Sequence, residues 1–189
     1  MTTPTEVLID FARVLEALQI PYVVVGSFAS SARGVRRATV DADLVAVLTL
    51  DHVQPIVDRL SGDYYIDDLA VRRAIVTERA FNAIHLESMF KVDVHISQSS
   101  FTRKEMERRL PERILPESDS IVYIATAEDT VVAKLDWYRR GKEVSDQQWS
   151  DVLGIIKVQQ DRLDYAYLRH WSEDLGVSDL LDKAIAEAS

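Results

Sequence analysis

The chain of 189 residues has no cysteine. That excludes disulfides, thiol catalysis and thiolate metal sites, and it suits a reducing cytoplasm, the location expected here. Glycine and proline are scarce, at six and five, too few for a collagenous, low-complexity or disordered chain. No run approaches 18 apolar residues, so no membrane-spanning helix is expected. The first twenty residues, MTTPTEVLIDFARVLEALQI, carry acids and no basic flank, which reads against a signal peptide. Also missing are a GxSxG elbow, a Walker A lysine loop and a GxGxxG turn, so serine-hydrolase, P-loop and Rossmann readings lack support. The four histidines, His52, His85, His95 and His170, have no zinc-like spacing. What is present is a chain 47% hydrophobic and 28% charged, enough for a real core in one or two compact domains.

Net charge is −9, which by itself disfavours a nucleic-acid binder. The distribution is uneven. From Glu143 onward ten acids face four bases, so −6 of the −9 lies in the last quarter. Upstream stand clusters of opposite sign: Arg33, Arg36 and Arg37; Arg72 and Arg73; and Arg103, Lys104, Arg108, Arg109 and Arg113. Each is either a solvated helix face or part of a phosphate-facing rim.

Apolar spacing predicts a helix over 5–18, a buried strand in PYVVVG ending at Gly26, and a short helix over 27–33 capped by Ser27. A strand follows over 38–48, then a helix from Asp51 to about residue 60. One or two weaker strands are expected over 64–76, a hairpin turning near Glu87 and Ser88, a helix over 100–110 and a short strand in IVYIA. Beyond Thr126 the pattern is helical only, at about 127–140, 145–159, 164–175 and 178–186, with Gly141 and Gly176 as stop signals. The expected fold class is α+β (α/β), a mixed β-sheet packed with helices over residues 1–125, followed by a C-terminal helical bundle over 126–189.

Asp41 and Asp43 interrupt an otherwise apolar strand, DADLVAVL. Alternation puts Ala42, Leu44, Ala46 and Leu48 on one face and both aspartates on the other, roughly 6–7 Å apart at Cα. Uncompensated, two such anions repel; a divalent ion with oxygen ligands, such as Mg²⁺, removes the conflict. FKVDVHIS repeats the anomaly: Phe90, Val92, Val94 and Ile96 share one face, and Lys91, Asp93 and His95 the other. Should the two strands be neighbours, Asp41, Asp43 and Asp93 make a ligand set for one or two Mg²⁺ ions, as used in in-line phosphoryl and nucleotidyl transfer. The bland alternative is a half-exposed strand bearing solvated acids. Gly26-Ser27, between a strand and a helix start, offers backbone N–H groups and a hydroxyl to a triphosphate.

The order Gly26-Ser27, Arg33-Gly34, Arg36 or Arg37, Thr39, Asp41-x-Asp43 and then Asp93 resembles the nucleotidyltransferases of the DNA polymerase β superfamily. Its R-x-T-x-D-x-D form resembles the AbiEii/MenT-like branch of minimal nucleotidyltransferases. That branch tends to have an acidic helix start, a lysine on the same helix and an aspartate on the next, here Glu128-Asp129, Lys134 and Asp151. Ala42 departs from the family pattern, which has a larger apolar residue between the aspartates. The resemblance spans about residues 20–155. It implies a nucleotidyltransferase-type mixed sheet and Mg²⁺-dependent transfer of a nucleoside monophosphate from an NTP. Asp41, Asp43 and Asp93 would be the metal ligands, and Gly26, Ser27, Arg33, Arg37, Lys134 and Asp151 would sit on the nucleotide. The acceptor it suggests is RNA, such as a tRNA end, in a toxin–antitoxin setting with an antitoxin partner. A small molecule of the aminoglycoside kind is the other acceptor. The rival from another class is a catalytically inactive nucleotidyltransferase-fold protein that binds nucleotide or acts as an antitoxin-like partner.

Lys134 has its own anomaly. Ala127, Val131, Lys134, Leu135 and Tyr138 share one helical stripe, so a lysine interrupts a face that should be buried. It must meet an anion, a nucleotide phosphate or Asp151, or else snorkel to solvent. Asp151 reads as a neighbour of a metal site, a partner for Lys134, or plain surface. Trp137, Trp149 and Trp171 read as core or interface residues, and His95 is singled out only by sharing a face with Asp93.

Overall fold

The computed structural model describes residues 2–35, 38–115 and 119–188. In chain order the elements are α1 (Pro4–Ala17), β1 (Tyr22–Val25), α2 (Gly26–Arg33), β2 (Asp41–Ala46), α3 (Val53–Leu60), β3 (Tyr64–Tyr65), α4 (Asp68–Thr77), β4 (Ala80–His85), β5 (Lys91–His95), α5 (Ser100–Arg108), β6 (Leu110–Glu112), β7 (Val122–Ile124), α6 (Ala127–Arg140), α7 (Asp146–Gln159), α8 (Tyr165–Asp174) and α9 (Ser178–Ala188). No helix among the described residues is long and apolar enough to cross a membrane. The chain divides into two compact units, Met1–Ser27 with Thr39–Ile124, and Phe28–Ala38 with Ala125–Ser189.

The first unit is built on a seven-stranded mixed sheet ordered β3-β4-β5-β2-β1-β7-β6. The β1/β2, β3/β4, β4/β5 and β6/β7 pairs are antiparallel, whereas β2/β5 and β1/β7 are parallel. The period-2 pattern sets the faces. Ala42, Leu44, Ala46, Val92, Val94, Phe81 and Ala83 are buried, while Asp41, Asp43, Lys91, Asp93 and His95 alternate with them, half-buried. On α1, Val7, Leu8, Phe11, Ala12 and Leu15 are buried at helical spacing. Phe11 meets Tyr64 edge-on at 5.7 Å, and the Tyr64 hydroxyl donates to the Val7 carbonyl at 3.1 Å, tying α1 to the edge strand β3.

The second unit packs α6, α7, α8 and α9 around Val131, Val132, Leu135, Val152, Ile155, Leu168, Leu181 and Ala184. Segment Phe28–Ala38 lies against this bundle. A Cβ added to Gly34 would stand 2.9 Å from the Ile155 nitrogen, so glycine is what lets the two backbones meet. Arg33 Nε donates to the Ala125 carbonyl at 2.8 Å, and the Gln159 side chain donates to the Arg33 carbonyl.

Four local expectations are corrected. Residues 64–76 hold only the two-residue strand β3, and the rest is helix α4, because the Asp67 carboxylate accepts from the Leu69 and Ala70 amides at 2.8 and 3.3 Å and caps it. The α2 helix begins at Gly26, so Ser27 lies in its first turn rather than capping it. Asp51 lies within a short 3-10 turn, Leu50–His52, ahead of α3. The helix expected over 100–110 stops at Arg108, and Leu110–Glu112 pairs with β7.

Candidate active site

In the first unit the parallel β2/β5 register sets Asp43 opposite Asp93 and Asp41 opposite Lys91. Thr39 donates from its hydroxyl to the Asp41 carbonyl at 2.7 Å, fixing the entry into β2. On the other side of β2, Val25 of β1 is paired with Asp43, which brings the turn at Gly26 over that carboxylate. Gly26 has φ +60°, and a Cβ there would lie 2.2 Å from Asp43 Oδ2. Both the left-handed backbone and the absent side chain are therefore required at this position. Ser27 follows on the first turn of α2.

Like charges directly opposite in a sheet repel, and this face carries its own compensation. Lys91 Nζ lies 2.6 Å from Asp93 Oδ2, and His95 Nε2 lies 3.3 Å from Asp43 Oδ1. The hydrogen bond to Asp93 holds the Lys91 ammonium above its ordinary pKa; the charges of Asp93, Asp41 and Asp43 add to this, and partial desolvation opposes it. Three carboxylates from two strands thus act on a single ammonium. Alternation along FKVDVHIS already placed Lys91 and His95 on this face, but their partners depend on the inter-strand register. Asn82, opposite Asp93 on β4, is a further polar neighbour that no motif or spacing singles out and that only the alignment of β4 with β5 brings to this face.

In the second unit Lys134 and Asp151 form a buried ion pair, Nζ to Oδ2 at 2.9 Å, with side chains 6% and 9% exposed. Gln148 Oε1 accepts from the same ammonium at 3.0 Å, and the Ser30 hydroxyl donates to Asp151 Oδ2 at 3.2 Å. Of the readings open for Lys134, the structure provides the aspartate partner. The acidic start of α6 is internal: Asp129 is fully buried and accepts from the Thr126 hydroxyl at 2.7 Å and from the Tyr167 hydroxyl, while Glu128 accepts from the Asp164 amide at 3.1 Å. These contacts hold α8 to α6. Arg33 is turned to the Ala125 carbonyl, as noted. Arg36 and Arg37 lie outside the described residues.

No protein-family model and no curated protein matches the chain. Solved structures do. An antigenic nucleotidyltransferase-like protein from Paracoccidioides brasiliensis superposes with a TM-score of 0.56 at 17% identity, over 95% of this chain and 90% of that one. A lincomycin-bound lincosamide antibiotic adenylyltransferase, LnuA, superposes with a TM-score of 0.51 at 12% identity, over 83% of this chain and 98% of that one. The chain has the nucleotidyltransferase fold. The mixed sheet with its parallel β2/β5 pair and the helices that follow conform to the expected α+β class.

A nucleotidyltransferase fold raises the question of a divalent cation. Among the described residues no group of three or more His, Asp or Glu side chains is gathered closely enough to hold a metal as it stands. The donor set nevertheless fits one in kind. It offers hard carboxylate oxygens on one sheet face, with two of the acids opposite each other, and it draws the Lys91 ammonium to Asp93 and the His95 imidazole to Asp43.

Proposed function

We propose that the chain is a Mg²⁺-dependent nucleotidyltransferase that moves a nucleoside monophosphate from an NTP to an acceptor hydroxyl. The observation that carries this is the register of Asp43 against Asp93, with Asp41 on the same face and Gly26 closing over Asp43. Asp41, Asp43 and Asp93 would hold the metal, which when bound supplies Lewis-acid neutralisation of the triphosphate. Gly26 and Ser27, at the start of α2, would offer backbone N–H groups and a hydroxyl to the phosphates. Asp93, the acid of the second strand, would take the proton of the acceptor hydroxyl as the new O–P bond forms and pyrophosphate departs. The proposal assigns nucleotide contact to Arg33, Arg37, Lys134 and Asp151, with Lys134 neutralising charge on the leaving group. It takes residues 1–125 as the catalytic core and 126–189 as the helical region.

The motif Arg37-x-Thr39-x-Asp41-x-Asp43 supports an AbiEii/MenT-like member with an RNA end as acceptor, acting as a toxin with an antitoxin partner. A second reading, a small-molecule acceptor, is favoured by the match to nearly the whole length of the lincosamide adenylyltransferase. The test is incubation with each labelled NTP and Mg²⁺ in the presence of total RNA, or of an aminoglycoside and lincosamide panel. Label in RNA supports the first acceptor and label in a drug the second, and Asp41→Asn or Asp43→Asn should abolish either while remaining folded. Nucleotide binding without transfer to any acceptor would leave a non-catalytic binding protein and overturn the enzyme reading.

A further inference from the structure

We infer that Lys91 is a tethered counter-cation that occupies Oδ2 of Asp93 and must leave it before a divalent ion can engage that carboxylate. The inference rests on the metal reading of the Asp41, Asp43 and Asp93 face and concerns what controls it. Asp43 and Asp93 face each other directly in a parallel pair, an arrangement that repels unless a cation lies nearby. Lys91 is placed to supply that cation. It is two residues before Asp93 on the same face of β5, opposite Asp41 on β2, and its Nζ stands 2.6 Å from Asp93 Oδ2. With its side chain 41% exposed, it has room to swing away, whereas Asp93 is only 19% exposed. The ammonium therefore does two things. It makes the metal-free sheet tolerable, and it raises the divalent-ion concentration at which Asp93 is captured. One positive charge on a flexible stem is a weaker neutraliser than a divalent ion, so it is displaced rather than permanent.

The test uses Mn²⁺ alone, titrated without nucleotide into the full-length protein and read by calorimetry and by the electron paramagnetic resonance signal of free Mn²⁺. Lys91→Gln should bind Mn²⁺ about tenfold more tightly than wild type, the expected effect of removing one nearby like charge at a partly exposed site. Lys91→Arg, which keeps the charge, should stay within about twofold of wild type. In EDTA Lys91→Gln should melt below wild type, and saturating Mn²⁺ should raise its melting temperature by more, which also shows that the variant folds. Equal or weaker Mn²⁺ binding by Lys91→Gln, with wild-type binding still lost in Asp43→Asn, would overturn the role of Lys91 and leave the metal reading standing. No Mn²⁺ binding by either protein would overturn both.

Discussion

Gly26 and Asp43 depend on each other sterically. The chain leaves β1 at φ +60° with no room for a methyl group beside the Asp43 carboxylate, so Gly26→Ala combines backbone strain with a clash. It should cost about 1–3 kcal/mol in urea unfolding, and crystallography of the variant should show Asp43 displaced from His95. Gly62→Ala, with nothing within 4 Å of the added Cβ, is the control and should be nearly neutral. The Lys134–Asp151 pair makes a second residue-scale prediction. Lys134→Met strands a buried carboxylate and should destabilise by about 3–5 kcal/mol, whereas Lys134→Met with Asp151→Leu removes both charges and should recover most of that loss. If the double variant regains stability but not transfer, the pair serves the nucleotide as well as the fold; full recovery of transfer would confine it to structure. The three aspartates were legible because each breaks an apolar strand at the right parity. The partners of Lys134 and Lys91 were less so, since residues 134 and 151 meet across two helices and the role of Lys91 depends on how β5 is aligned with β2.

At the scale of elements, strong periodicity carried through and short segments did not. The helices α6, α7, α8 and α9 fall within two residues of the apolar spacing that predicts them. By contrast, Tyr64, Tyr65, Ile66, Val71, Ile75 and Val76 bias 64–76 toward strand by composition, yet α4 forms there. What decides it is local: the Asp67 side chain satisfies two amides that the first helical turn leaves without partners. Asp67→Ala should therefore cost about 1 kcal/mol, measurable as a lower urea midpoint with unchanged slope. Asp67→Asn or Asp67→Ser, which keep an acceptor, should restore most of it. The strand β6 was hidden by Pro111, a residue that sheets admit at edges. β6 ends the strand order, which is where such a residue is tolerated.

For the molecule as a whole, the partition into units does not follow the chain. Residues 28–38 interrupt the stretch that builds the sheet, yet they belong with the C-terminal helices. The sequence hid this because the contacts responsible are backbone approaches rather than apolar periodicity: Gly34 against Ile155, and the Arg33 and Gln159 side chains on carbonyls of Ala125 and Arg33. Regions that open together share a common stability in hydrogen exchange. Amides of 29–34 should therefore exchange with the opening free energy of α6 and α7 rather than with that of β1 and β2, although β1 ends at the residue before α2 begins. Gly34→Ala sharpens the test, because its Cβ would press on main chain that cannot rotate away. Native-state exchange followed by mass spectrometry should show faster exchange in 29–34 and in α7, with β2 and β5 unchanged. Equal acceleration in the sheet would mean that the two units open as one cooperative body, and residues 28–38 would then have no separate allegiance to the helices.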